Sequence, residues 1–314
     1  MARWNDLVDR LVELPIVTSF SSIGPAVRSR TDRWDDVTLH DLTGRRVAIT
    51  GATSGLGLAA ARTLSAMGAT VLVVGRDQRK TEEVASDLSA VPVVADMGEL
   101  DQVRAAAATI LEAGGVDTLV HNAGALLPDR HTTSAGIEVT IASQVVGPHL
   151  LTTLLLPSLS PGGRVITMAS GGMYAAGLTV SGLEMSVDAY DGTKQYAIAK
   201  RAQVTMNEIW ATRVDDVVFH AMHPGWADTP GVEAALPTFR KLTGPILRSP
   251  DQGADTLVFL VADDEALRSS SGFWLDRRKR SIHKLPSTRR TDTPRRRQAL
   301  WERVEELAGL SVDQ

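Results

Sequence analysis

The sequence predicts an α/β fold: a doubly wound parallel sheet covered by helices on both faces, a three-layer α/β/α arrangement within one domain. Two observations carry that expectation. From Gly44 onward, short β-branched runs alternate with Ala-rich stretches of helical period, and a glycine-rich turn stands directly after the first of those runs. The composition fits, because 43% hydrophobic and 22% charged residues over 314 positions describe an ordinary soluble globular chain. Lys and Arg total 33 against 37 Asp and Glu, and the resulting net charge of −4 argues against a nucleic-acid partner. There are no cysteines, which removes disulfides, thiolate metal sites and thiol nucleophiles together.

In chain order, Arg46 to Thr50 reads as the first strand, Gly55 to Met67 as a helix and Thr70 to Val74 as the second strand. A helix at Thr81 to Ser89 leads to a strand at Val91 to Ala95, and a helix at Leu100 to Ala113 leads to a fourth strand at Thr118 to Val120. A long helix is expected from about Ser134 to Leu156, then a fifth strand at Arg164 to Met168 and a helix beginning near Thr193. A sixth strand at Val217 to Ala221, a helix near Asp251 to Leu260 and an apolar patch at Gly272 to Leu275 complete the sheet. The apolar stretch Leu150 to Leu159 is interrupted by Thr152, Thr153, Pro157 and Ser158. It falls short of the ~18 to 20 residues that span a bilayer, so no spanning helix is expected. The first ten residues scatter acids through the segment and lack the continuous apolar core of a secretory signal, so a cytoplasmic location is expected.

Two flanks stand outside the domain at 44–275. In the arm at 1–43, Trp4, Leu7, Val8, Leu11 and Val12 fall at helical spacing among acids and arginines, which predicts a small amphipathic helix. It would pack on the domain or a partner subunit, or serve as a membrane-surface anchor. The extension at 276–314 is basic and carries a short helix; Arg277 to Arg297 holds ten Lys/Arg and one acid, Asp292. Such a run is solvated surface or a site for phosphate or anionic lipid.

The turn after the first strand reads Thr50-Gly51-Ala52-Thr53-Ser54-Gly55-Leu56-Gly57. Glycines there let the backbone turn tightly and approach a pyrophosphate, whose charge the first amides of the following helix would meet. This strand-turn-helix context marks a Rossmann-type dinucleotide site. The second strand ends Val74-Gly75-Arg76-Asp77. A carboxylate at the strand end would bond a ribose 2′-hydroxyl, whereas Gly75 leaves room and Arg76 offers a bidentate partner for a 2′-phosphate. NADP(H) is therefore expected in preference to NAD(H), unless Arg76 is only a surface arginine.

Tyr196 and Lys200 stand four residues apart within a helical run, so their side chains share one face. An adjacent cation is expected to lower the phenol's pKa and let it exchange a proton with an alcohol or carbonyl. A second Tyr-x-x-x-Lys, Tyr190 to Lys194, includes Asp191 and Gly192, which suit a helix cap, so Tyr196 is preferred.

With these motifs in order, residues 44–275 resemble the short-chain dehydrogenase/reductase family. The resemblance implies that Asp96, with Met97 beside it, lies near the adenine ring, and that Asn122-Ala123-Gly124 matches the family's motif after the fourth strand, with His121 replacing its first asparagine. Ser170 occupies the catalytic serine position, and Pro224-Gly225 with Thr229 resembles the segment that seats the nicotinamide carboxamide. The segments Ser170 to Met173 and Met222 to Pro230 look like a member 12-like subgroup whose relatives include retinol-dehydrogenase-like NADP(H) enzymes. The roles implied are proton transfer by Tyr196, ribose binding and pKa control by Lys200, and stabilisation of the reacting oxygen by Ser170, with direct hydride transfer and no metal. By resemblance, the helices carrying Gln144 and Tyr196 would form the surface of a homodimer or homotetramer.

One position departs from the family. Where many members have Asn-x-x-Gly, this chain has Gln144-Val145-Val146-Gly147, so Gln144 either holds a displaced relay water or has no catalytic part. The loops at 171–192 and 226–250 follow the fifth and sixth strands. They carry Met173, Tyr174, Leu178, Leu183, Met185, Trp226, Val232, Leu236, Phe239 and Leu242. Those side chains either line an apolar pocket for a small lipophilic alcohol or carbonyl compound or cover the core. The reading is a carbonyl/alcohol oxidoreductase; the rival is a non-catalytic NADP(H)-binding scaffold or redox sensor.

Overall fold

The computed structural model describes residues 2–159 and 161–310; the last four positions of the expected C-terminal extension lie outside the described residues. An N-terminal arm of three helices, α1 (Ala2–Glu13), α2 (Ile16–Phe20) and α3 (Ile23–Asp32), precedes the sheet. The alternating core then runs β1 (Arg46–Thr50), α4 (Gly55–Ala66), β2 (Thr70–Gly75), α5 (Gln78–Asp87), β3 (Val91–Val94), α6 (Leu100–Glu112) and β4 (Thr118–His121). It continues through α7 (Val139–Ile141), α8 (Gly147–Leu159), β5 (Gly163–Met168), α9 (Gly192–Arg213), β6 (Val217–Met222), α10 (Pro230–Ala235), α11 (Pro237–Thr243) and α12 (Pro250–Ala262). Last come β7 (Gly272–Leu275), β8 (Arg278–Lys279), α13 (Pro286–Thr291) and α14 (Pro294–Ala308).

The strand order is β3-β2-β1-β4-β5-β6-β7-β8, parallel except for the final β7–β8 pair. The chain thus winds one way from β1 to β3 and the other from β4 onward, which opens the ligand crevice at the carboxyl ends of β1 and β4. Strands buried on both faces explain the continuous β-branched runs; Val47, Ile49, Leu72, Val73 and Leu119 are fully buried.

Where structure and expectation differ, local chemistry gives the reason. The helix expected from Ser134 begins only at Val139, because Gly136 sits at φ +77° in a turn and Glu138 caps the helix by accepting from the Ile141 amide at 2.9 Å. Residues Ala142–Val146 form a π-turn, in which the Gly147 amide donates to the Ala142 carbonyl. Pro148 stands just beyond; it has no N–H to give the Gln144 carbonyl and its ring crowds that oxygen, so the ladder slips by one residue. The stretch Val139–Leu159 is also long and apolar enough to cross a membrane by length and composition, with 21 residues and mean hydropathy 1.5, contrary to the expectation. Its window is 72% buried inside the domain, which makes it a core helix.

The basic extension is only in part the solvated run expected: Lys279, Arg289, Arg290, Arg295 and Arg296 are exposed, while the other five cations are paired. Arg277 pairs with Asp255, Arg278 with Asp32, Arg280 with Asp9, Lys284 with Glu13, and Arg297 with Asp292 and Glu208. Beneath them, Arg28 and Arg248 share buried Asp276, at 2.6 Å each. The extension's helix is also longer than expected, and α14 lies across α8 and α9, burying Leu300, Val304 and Ala308. Trp301 packs edge-on against His149, and Glu305 meets His149 at 2.6 Å. The two-helix face expected to meet a second subunit is therefore covered by the chain's own last helix.

Candidate active site

The glycine-rich turn is built by close backbone approach. Gly51 has φ +67° and Gly55 φ +54°, values that favour glycine. A Cβ on Gly57 would lie 2.4 Å from both the Gly51 carbonyl and Asn122 Nδ2, so only glycine lets the first turn of α4 nest there. Asn122 ties the β1 and β4 loops together: its Nδ2 donates to the Thr50 carbonyl at 2.9 Å and the Gly51 carbonyl at 3.1 Å. The Asn122 and Ala123 amides both donate to Thr50 Oγ1 at 3.0 Å.

Around this turn stand most of the other expected groups. Ser54 precedes α4 with its hydroxyl making no capping bond, and Thr53 lies against Gly75. Leu56 is half-buried, and its side chain faces Gly253 of α12. Thr229 faces Gly55, 3.5 Å from where a Cβ there would be, which brings the loop after β6 over the turn. Pro224 precedes Gly225, which has φ +73° and fits under Arg248 and the Phe20 carbonyl. At the far end Arg76 is exposed and reaches Asp96 at only 3.9 Å, too long to immobilise the guanidinium. Asp96 caps its own loop through the Gly98 amide, while Met97 is buried with its carbonyl against Gly147.

Tyr196 and Lys200 lie one turn apart on α9, with Lys200 Nζ 5.3 Å from the Tyr196 ring centre and donating to the Met168 carbonyl at 3.1 Å. Ser170 follows β5 and accepts from the Gly172 amide at 3.1 Å; its Oγ and the Tyr196 ring lie 3.5 and 3.9 Å from where a Cβ on Gly172 would be. Burial pushes the Lys200 ammonium down to about 7. It also pushes the Tyr196 phenol up, with the nearby Ser170 hydroxyl pulling the other way, so the expected lowering by Lys200 is not found. The lysine is too buried to hold its charge firmly, and its ammonium is turned toward a carbonyl. Gln144 donates to the Ala125 carbonyl at 2.8 Å and leaves its Oε1 without a protein partner. The space a Cβ on Gly124 would take lies 3.0 Å from that oxygen and 3.3 Å from Lys200 Nζ.

The second Tyr-x-x-x-Lys is elsewhere. Asp191 caps α9 by accepting from the Lys194 amide, Tyr190 precedes the helix and meets Glu138, and Lys194 is exposed. Of the apolar loop residues, Met173, Tyr174, Leu178 and Leu183 belong to the core. Trp226, Met185, Val232 and Phe239 are half-buried, and Leu236 and Leu242 are exposed.

Sequence reading missed Phe20 and His223. Phe20 presses on Gly171, next to Ser170, where a Cβ would be 2.4 Å from its ring, and its carbonyl accepts from the Trp226 amide at 2.7 Å. No local signal marks a phenylalanine in a remote arm as part of the site's wall.

A reversing parallel sheet, a glycine-nested turn at its switch point and a Ser-Tyr-Lys cluster one strand away define a dinucleotide-dependent oxidoreductase. The profile of the short chain dehydrogenase family matches residues 45–238. Dehydrogenase/reductase SDR family member 12 of Homo sapiens is 36% identical over 287 residues, covering 87% of this chain and 90% of that protein. Polyprenol dehydrogenase of Mus musculus is 32% identical, over 71% of this chain and 72% of its own length. Among solved structures, an uncharacterised protein of Mycobacterium paratuberculosis superposes with TM-score 0.71 at 27% identity, covering 90% of this chain and 99% of that one. The chain belongs to the short-chain dehydrogenase/reductase family.

Proposed function

We propose that the protein interconverts a carbonyl and an alcohol on a small lipophilic substrate with NADP(H), using Ser170, Tyr196 and Lys200. The observation that carries this reading is that Ser170 Oγ and the Tyr196 ring both flank Gly172, 3.5 and 3.9 Å from where a Cβ there would be, with Lys200 one helical turn behind the tyrosine. A phenol kept neutral by burial, beside a second hydroxyl, is arranged to give its proton to an oxygen that gains negative charge, while Ser170 donates to the same oxygen. That is the proton half of carbonyl reduction. When bound, the nicotinamide supplies or accepts the hydride.

The residues fit such a cofactor. Gly51, Thr53, Ser54, Gly55, Leu56 and Gly57 would receive the pyrophosphate, and Asp96, Met97, Asn122, Ala123 and Gly124 would line the adenosine and ribose side. Pro224, Gly225 and Thr229 would seat the carboxamide. Arg76, exposed and loosely paired, is free to turn onto a 2′-phosphate, which supports NADP(H) over NAD(H). The half-buried Trp226 and Phe239, edge-on at 5.1 Å, and the polyprenol-named relative support an apolar substrate. In the cell we place the protein in the cytoplasm, peripheral to a membrane.

One observation favours the non-catalytic alternative: Gln144 stands where a relay asparagine is expected. Fluorescence titration with NADPH and NADH, followed by turnover of lipophilic carbonyl compounds, separates the two. Binding without turnover that Gln144→Asn restores would place the defect at the relay.

A further inference from the structure

The helix α1 is amphipathic, and it is turned inside out. Two of its acids face the protein, Asp9 pairing with Arg28 at 2.8 Å and Arg280 at 2.6 Å and Glu13 with Lys284 at 2.6 Å, while the exposed Asp6 reaches Arg278 at 3.2 Å. Burial alone would raise the Asp9 carboxyl, but the Arg280 and Arg28 bonds hold it down at about 2, so this face stays ionised and paired. Its larger apolar residues face solvent, while Val8 and Val12 are half-buried. Trp4 and Leu11 are each 66% exposed and Leu14 is 86% exposed, with Leu7 between them at helical spacing. Ile16 and Val17 prolong the exposed patch past Pro15. Monomeric soluble proteins rarely leave such a contiguous apolar surface uncovered.

The surrounding charge says what covers it. The acid of α3, Asp32, is also consumed, by Arg278 at 2.6 Å. Arg10 on α1, Arg30 on α3 and Arg33 just past α3 are exposed and have no acidic partner among the described residues. The arm therefore presents to solvent an apolar stripe with the exposed Arg10 at its edge and a tryptophan at one end, the pattern of a helix that lies in a lipid headgroup layer. The stripe runs across the break between α1 and α2, so it covers an area instead of forming one straight seam for a partner helix. The arm also joins the substrate loops, through the Ser22 amide to the Ile246 carbonyl at 2.9 Å and the Trp226 amide to the Phe20 carbonyl at 2.7 Å. Leu236, between α10 and α11, and Leu242, on α11, are exposed in those same loops.

We propose that the Trp4-Leu7-Leu11-Leu14 face, continued by Ile16 and Val17, docks on an anionic lipid bilayer and holds the substrate loops beside it. The ion pairs with the C-terminal extension fix the helix with this face outward, so the basic tail acts as the mount for the lipid contact. The benefit to substrate capture rests on the lipophilic-substrate reading; the docking does not.

The test is sedimentation of the full chain with vesicles of phosphatidylcholine alone and of phosphatidylcholine mixed with phosphatidylglycerol, against Leu7→Glu/Leu11→Glu and, separately, Arg10→Glu. NADPH affinity and thermal midpoint are measured on each. The expected result is binding to the mixed vesicles that weakens with salt, falls at least about tenfold in the double variant and falls several-fold in Arg10→Glu. Both variants should stay folded, because every substituted side chain is exposed. The proposal is overturned if the wild type does not sediment, if the double variant sediments equally, or if the wild type is a dimer that the double variant dissociates. Failure to bind NADPH would overturn the cofactor reading and leave the vesicle result standing.

Discussion

Phe20 packs edge-on against His223, ring centres 4.5 Å apart at 63°, and so joins the N-terminal arm to the loop that leads into Pro224-Gly225. Burial and the neighbouring cations Arg248 and Lys284 hold His223 well below its ordinary pKa, so it packs as a neutral ring. Phe20→Ala removes a buried ring that also braces Gly171. It should cost about 3 kcal/mol of stability, read from urea unfolding, and lower turnover more than NADPH affinity.

Tyr196→Phe removes the proposed proton donor and leaves the ring in place. Turnover should fall by roughly 10²-fold or more while NADPH affinity stays within about twofold, and Tyr190→Phe should change neither. Steady-state kinetics with fluorescence titration on both variants checks this, and the reverse pattern would move the catalytic register to Tyr190.

Arg76→Ala tests the cofactor preference. If the guanidinium meets a 2′-phosphate, NADPH binding should weaken by about ten- to a hundredfold while NADH binding barely changes. Equal weakening of both would remove Arg76 from cofactor selection.

Lys200 is held at about 7 in the fold against an ordinary 10.5. Between those values the unfolded chain binds the proton and the folded one does not, so stability from this group rises with pH through that window and its burial penalty is complete below it. Lys200→Met should therefore be more stable than the wild type at pH 6, an advantage that shrinks towards pH 10, and should lack turnover. Urea midpoints across pH read the effect.

Much of the cofactor crevice was legible because its signals are local. A glycine turn between a strand and a helix, Asp191 as a helix cap, and strict strand-helix alternation each act within a few residues. What stayed hidden depends on contacts made only in the fold. Arg28 finds Asp276 across 248 positions, and nothing in either neighbourhood announces it. The inverted face of α1 exists because the tail brings cations to its acids. Met173 and Leu183 look like pocket residues by position, yet they fill the core. The pKa of Tyr196 follows its burial, which spacing alone does not reveal.

The covered face of α8 and α9 predicts that the full chain does not dimerise there. Removing residues 294–314 would bare Trp210 and His149, and the truncated protein should self-associate in light scattering while the full chain does not do so through this face. Equal behaviour of the two would mean that α14 plays no such part.

The most direct test is NADPH oxidation at 340 nm with a panel of lipophilic aldehydes, ketones and quinones, run on the wild type and on Tyr196→Phe. The account predicts turnover of at least one such carbonyl compound by the wild type and its loss in the variant, with NADPH bound by both. Turnover that survives in Tyr196→Phe would contradict the assignment of the proton donor and, with it, the Ser170-Tyr196-Lys200 site.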